Sequence, residues 1–90
     1  MALHPDFIRL PIAHRGLHSP GVPENSLASF RAAIAAGYGI ELDIQPSAEG
    51  TPMVFHDYDL TRMCGDECYI VDRSAADLAE LRLQGTDEPI

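Results

Sequence analysis

Gly39-Ile40-Glu41-Leu42-Asp43-Ile44-Gln45 alternates apolar and polar side chains with a period of two. That is the pattern of a β-strand, and it places Glu41 and Asp43 on one face with Ile40, Leu42 and Ile44 on the other. No other stretch restricts the fold so tightly. Two carboxylates between aliphatic neighbours cannot enter an ordinary core, because an unpaired charge moved out of water is costly. The strand must border solvent, or a site where something positive sits between the two acids.

The flanking sequence reads as strand, helix, strand, strand, helix. Leu10 to His14 forms a strand ending in Arg15-Gly16, and Ser19-Pro20-Gly21-Val22-Pro23 is a loop rich in breakers. A helix follows, capped by Asn25 or Ser26, with Leu27, Phe30 and Ile34 on one face and Gly37 placed to end it. After the alternating strand, Ser47 to Gly50 turns the chain. Met53-Val54-Phe55 is the next strand and delivers His56-Asp57 at its end. Residues 58–73 give mixed signals, with a short strand at Tyr69-Ile70-Val71 as one reading. Ser74-Ala75-Ala76-Asp77 resembles a capping box with Asp in place of Glu, opening a helix to about Leu83 with Leu78 and Leu81 on its apolar stripe. Such an order is that of βα units in an α/β fold, and it sets His14-Arg15, Glu41 with Asp43, and His56 at strand C-terminal ends.

Ninety residues, 46% of them apolar, make one small packed unit. A chain of this size buries only about 60% of its unfolded surface, so it needs a partner, a metal or a further segment to be secure. Six basic residues against 14 acidic ones give a net charge of −8. That balance disfavours nucleic acid, which is bound through Lys and Arg, and suits a divalent cation held by carboxylate oxygens. Met1 to Phe7 lacks a basic stretch followed by an apolar run, and no segment approaches 18 apolar residues. The expectation is therefore a cytoplasmic protein without stable membrane insertion. Cys64 and Cys68 have no second cysteine pair beside them and read as free thiols rather than as zinc ligands or a disulfide.

Taken singly, the polar residues at the strand ends have ordinary structural uses. Together they supply what cleavage of a phosphodiester requires. Glu41 and Asp43 can take Mg²⁺ or Ca²⁺ between them. Arg15 offers a bidentate fork to phosphate oxygens. His14 and His56 can move protons near neutral pH, one from the nucleophile and one to the leaving alkoxide.

Ile12-Ala13-His14-Arg15-Gly16, Pro23-Glu24-Asn25-Ser26, Glu41-Leu42-Asp43 and Phe55-His56-Asp57 resemble, in order and spacing, the His-Arg, Glu-Asn, Glu-x-Asp and His pattern of the glycerophosphodiester phosphodiesterase family. The likeness runs from about residue 10 to residue 90 and includes Ser74 to Leu81. Ser26 stands where the family usually has Thr, and a hydroxyl cap is kept. The resemblance implies an α/β fold, the N-terminal part of a (β/α)₈ TIM barrel of the PLC-like phosphodiesterase type. Residues 1–90 would be an incomplete barrel domain, since such barrels typically need about 250 residues.

The same resemblance implies the roles. His14 and His56 are the acid–base pair, with His14 as base and His56 as acid, or the reverse. Arg15 binds the substrate phosphate, Glu41 and Asp43 bind a divalent cation, and Glu24 is a supporting carboxylate that touches the metal shell or orients its neighbours. Asn25 is mainly a helix cap. The implied reaction is metal-dependent hydrolysis of a small glycerophosphodiester to sn-glycerol 3-phosphate and an alcohol, with the neighbouring glycerol hydroxyl attacking first to give a cyclic phosphate. An intramolecular nucleophile of this kind reaches effective molarities of about 10⁵–10⁸ M. A further ligand carboxylate and a phosphate-contacting Lys that the family carries on later strands have no counterpart here. Self-association or a missing C-terminal segment is expected to complete the surface. Two other readings compete: a sphingomyelinase D-like phospholipase, and a catalytically inactive fragment acting as an interaction module.

Overall fold

Pro11 has no N–H to give to a ladder, and the first strand begins only after it. In a computed structural model, which describes residues 10–90, strand β1 is Ile12–His14 rather than Leu10–His14. The reading of Met1 to Phe7 lies outside the described residues. Helix α1 follows at Leu27–Ala36. Ser26, not Asn25, is its cap: Ser26 Oγ accepts from Ser29 N at 3.1 Å, and Ser29 Oγ accepts from Ser26 N at 3.2 Å. Gly37, left-handed with φ 76°, ends the helix.

The expected apolar face of α1 is not the one it buries. Leu27 and Ile34 are 58% and 69% exposed, while Ser29 and Ala33 are fully buried. Small residues are required there because the loop after β1 crosses the helix in contact with it. A Cβ added to Gly16 (φ 81°) would lie 2.2 Å from Ser29 Oγ. Strand β2, Gly39–Glu41, then pairs parallel with β1 in the register Ile12↔Gly39, Ala13↔Ile40, His14↔Glu41. This closes a βαβ unit.

The alternating segment expected as one strand is split. β2 stops at Glu41, and β3 is Ile44–Pro46, paired antiparallel with β4, Pro52–Val54. The reason lies at Asp43: its N–H goes to the Asn25 side-chain oxygen at 3.3 Å, while its carbonyl accepts from Phe55 N at 2.9 Å. The segment thus changes partner from β1 to β4 across Leu42-Asp43, giving two two-stranded sheets among the described residues. The alternation of exposure survives the break, but Leu42 and Ile44 are the exposed side at 41% and 59%.

Past β4 the chain builds its main core from Phe55, Leu60, Met63, Ile70, Leu78 and Leu83. Helix α2 is one turn, Thr61–Cys64. Ile70–Asp72 is a 3₁₀ turn instead of a strand; only Ile70 enters the core, and Tyr69 forms a single bridge to Asp59. Helix α3 is Ala75–Ala79, shorter than the expected run to Leu83, with Ser74 Oγ accepting from Asp77 N at 3.1 Å. Leu78 and Leu83 are both buried yet five residues apart, or about 140° around a helix, so the helix must end between them. Cys64 packs partly against this core, where burial pushes its thiol pKa up, and Cys68 is exposed. The last residues return to α1, where Glu88 Oε1 accepts from Ala28 N at 2.8 Å. Among the described residues no helix is long and apolar enough to cross a membrane.

Candidate functional site

The parallel register of β1 and β2 sets the first contact. His14 and Glu41 are cross-strand partners at the C-terminal end of the ladder, and His14 Nε2 lies 3.2 Å from Glu41 Oε2. Arg15, the next residue, takes the left-handed conformation with φ 60°, which is uncommon for a side chain of its size. The turn reverses the chain, and Arg15 reaches Glu24 Oε2 through Nη1 at 3.1 Å, with its Nε 3.6 Å from Asp43 Oδ2. Asn25, also left-handed with φ 54°, closes the same loop by giving its N–H to Arg15 O at 2.8 Å. Arg15 Nε is buried without a hydrogen-bond partner among the described residues.

Glu41, Asp43 and Gln45 form the half-buried side of the alternating segment, and each meets a different part of the site. Glu41 faces His14. Asp43 Oδ2 accepts from Asn25 Nδ2 at 3.2 Å and sits beside Arg15. Gln45 donates through Nε2 to the carbonyl of His56 at 3.0 Å. A period-two face has become a row of three anchors. Asn25, expected mainly as a helix cap, holds Asp43 from both its backbone and its carboxylate instead.

His56 follows β4 by two residues and its imidazole is partly exposed. Its Nδ1 lies 2.7 Å from Asp57 Oδ1. Arg62 on α2 grips Asp57 through Nε to Oδ2 at 2.9 Å and Nη2 to Oδ1 at 3.0 Å. The same guanidinium grips Glu24 through Nη1 to Oε1 at 2.7 Å and Nη2 to Oε2 at 2.9 Å. Glu24 is buried, and the Arg62 hydrogen bonds hold its pKa below the ordinary carboxylate value against the effect of burial. Arg62 likewise brings Asp57 down to about 2, with the His56 contact adding to it. Arg62 is pushed up in turn.

A divalent cation asks for oxygen donors that are not already spent. Among the described residues, no three of His, Cys, Asp and Glu cluster as a metal set. Glu24 is committed to two arginines and is poorly placed to be a ligand. Glu41 and Asp43 are different: the only ion-pair or hydrogen-bond partners of their carboxylates among the described residues meet Oε2 of one and Oδ2 of the other. Each thus keeps a carboxylate oxygen of the kind that hard divalent cations take.

The expected residues therefore fall into two connected groups, His14 with Glu41, and Arg15, Glu24 and Asp43, while His56 is joined to the second group through Asp57 and Arg62. Sequence reasoning gave no role to Arg62, Asp57 or Gln45. Gln45 shared the face of Glu41 and Asp43 and was legible from the alternation. Arg62 carried only a weak signal: a buried Glu24 needs a cation, and Arg15 was assigned to phosphate.

Residues 14–90 match the glycerophosphoryl diester phosphodiesterase family. A glycerophosphodiester phosphodiesterase of Caldanaerobacter subterraneus is 40% identical over 73 residues, which are 80% of this chain and 30% of that protein. Among solved structures, a phosphodiesterase of Oleispira antarctica in complex with the product sn-glycerol-3-phosphate superposes with a TM-score of 0.73 at 38% identity, over 84% of this chain and 32% of that one. A glycerophosphoryl diester phosphodiesterase from Parabacteroides distasonis superposes with a TM-score of 0.84 at 26% identity, over 90% of this chain and 30% of that one. The chain thus spans about a third of the length of these relatives.

Proposed function

The chain belongs to the glycerophosphoryl diester phosphodiesterase family and holds a part of its (β/α)₈ fold, and we propose that residues 1–90 are the N-terminal portion of a domain that hydrolyses glycerophosphodiesters to sn-glycerol 3-phosphate and an alcohol. The observation that carries this reading is the register of β1 with β2. It sets His14 against Glu41 at a strand end, next to Arg15, Glu24 and Asp43. Two contact groups among the motif residues, His14 with Glu41 and Arg15 with Glu24 and Asp43, support this reading.

In this reading Glu41 and Asp43 hold a divalent cation, Mg²⁺ or Ca²⁺, whose charge would offset that of the phosphoryl oxygens and make the attacking hydroxyl more acidic. Arg15 pairs with the phosphate through the donors that Glu24 does not use. Glu24 keeps the Arg15 guanidinium turned toward Asp43 and away from solvent. One imidazole of His14 and His56 takes the proton of the attacking hydroxyl, and the other returns a proton to the leaving alkoxide. The Asp57 contact at Nδ1 leaves His56 Nε2 as the nitrogen for that transfer.

The test is hydrolysis of glycerophosphocholine by a polypeptide carrying this segment in a closed barrel. Release of sn-glycerol 3-phosphate and choline, abolished by a chelator and restored by Mg²⁺ or Ca²⁺, is the expected result. Head-group cleavage of sphingomyelin with no action on glycerophosphocholine would favour the sphingomyelinase D-like reading, and no turnover of either would favour the inactive module.

A further inference from the structure

We propose that Arg62 is a positioning residue for His56: by gripping Asp57 and Glu24 at once, it fixes the carboxylate that holds the imidazole in its Nδ1–H tautomer and leaves Nε2 to the reacting group. The inference rests on the reading of His56 as an acid–base group.

The need for such a device follows from where His56 sits. Its side chain is 42% exposed, and its carbonyl is tied by Gln45, but nothing in that tie orients the ring. An imidazole so placed would sample both tautomers. Asp57 is its ring contact, at 2.7 Å from Nδ1. An ionised carboxylate accepts hydrogen bonds and donates none, so the proton between them is on Nδ1. With Nδ1 donating, Nε2 is the ring's remaining basic nitrogen.

Asp57 is the next residue on the same loop and would move with His56 if it were unanchored. Arg62 supplies the anchor from a different element, meeting both oxygens of Asp57 and both of Glu24 in two forks. Planar bidentate geometry is what a guanidinium offers and an ammonium does not. Glu24 is buried in the loop that precedes α1, and its Oε2 also takes Arg15. One unbroken chain of hydrogen bonds therefore runs Arg15–Glu24–Arg62–Asp57–His56. The phosphate-binding arginine and one acid–base histidine share an anchor that lies 38 residues from Glu24 in sequence. An ion pair serving only stability would have no reason to end on the Nδ1 of that histidine.

The experiment is nitrogen NMR of a ¹⁵N-histidine-labelled polypeptide carrying this segment in a closed barrel, comparing wild type with Arg62→Lys, with Arg62→Met combined with Glu24→Gln, and with Asp57→Ala. The paired variant removes the Glu24 charge that Arg62→Met alone would leave buried, and Arg62→Lys keeps the positive charge. Wild-type His56 is expected as the Nδ1–H tautomer. All three variants are expected to shift toward the mixture of a free imidazole and to lose roughly 10² in kcat on glycerophosphocholine, with KM nearly unchanged in Arg62→Lys and Asp57→Ala, which leave the Glu24 contact to Arg15 in place. A wild-type tautomer in Arg62→Lys or in the paired variant, with only Asp57→Ala changed, would overturn the proposal, as would an unchanged kcat. The two readings separate cleanly: absence of turnover in wild type counts against the phosphodiesterase function, whereas the tautomer is read without any turnover.

Discussion

Glu24 is buried and takes hydrogen bonds from two arginines, which determines what substitution around it should do. Removing Arg62 strands part of that charge, although Arg15 remains and Arg62 is itself nearly half exposed. Arg62→Met should lower stability by about 1–3 kcal/mol, and adding Glu24→Gln should return part of it. Denaturant midpoints of the two variants measure this, and equal losses in both would count against a buried charge as the cause. The same network has a pH signature. Asp57 has a folded pKa of about 2 against an ordinary 3.8. Its pKa is lowered on folding, so its contribution is complete above the unfolded value and is lost as pH falls through about 2. Stability should therefore drop from about pH 4 toward pH 2, less steeply in Arg62→Met, as a urea series at several acid pH values would show.

At the scale of elements, what the sequence revealed was local. Ser26, Gly37 and the β1 and β2 strands follow from caps, terminators and alternation, all set by neighbours within a few residues. The split between β2 and β3 was hidden because its cause, Asn25 taking the N–H of Asp43, lies 18 residues away. Leu27 and Ile34 misled for a similar reason: helical spacing shows that a face exists, not which face the loop at Gly16 will cross. The site divided in the same way, since strand-end residues were legible and Arg62, which acts through space, was not. Two glycines test the crossing. Gly37→Ala meets no atom of the described residues within 4 Å and should cost about 1 kcal/mol for the left-handed backbone alone. Gly16→Ala adds a collision with Ser29 and should cost distinctly more. Thermal melts of the two variants compare them, and equal shifts would mean that the loop does not need its close approach. Loss of the Ser26 cap in Ser26→Ala should cost about 1 kcal/mol by the same measurement.

At the scale of the whole molecule, the chain is a slab of 39 × 33 × 18 Å with a radius of gyration of 14.2 Å. A compact domain of this length has about 12 Å. Aliphatic side chains also stand open to solvent: Leu27 and Ile34 on α1, and Leu42 and Ile44 along the alternating segment. In a (β/α)₈ barrel such surfaces are covered by neighbouring strands and helices. The 90-residue chain by itself should thus self-associate and show little or no turnover, and a compact monomer in sedimentation would contradict that. The most direct measurement is turnover of glycerophosphocholine, compared among a closed-barrel polypeptide carrying this segment, its His14→Ala and His56→Ala forms, and the isolated chain. The expected result is metal-dependent release of sn-glycerol 3-phosphate by the first, a loss of roughly 10²–10⁴ in each histidine variant with metal affinity kept, and near-absence of activity in the last. Near-normal turnover without either histidine, or no turnover in the closed barrel, would contradict a phosphodiesterase site built on these strand ends.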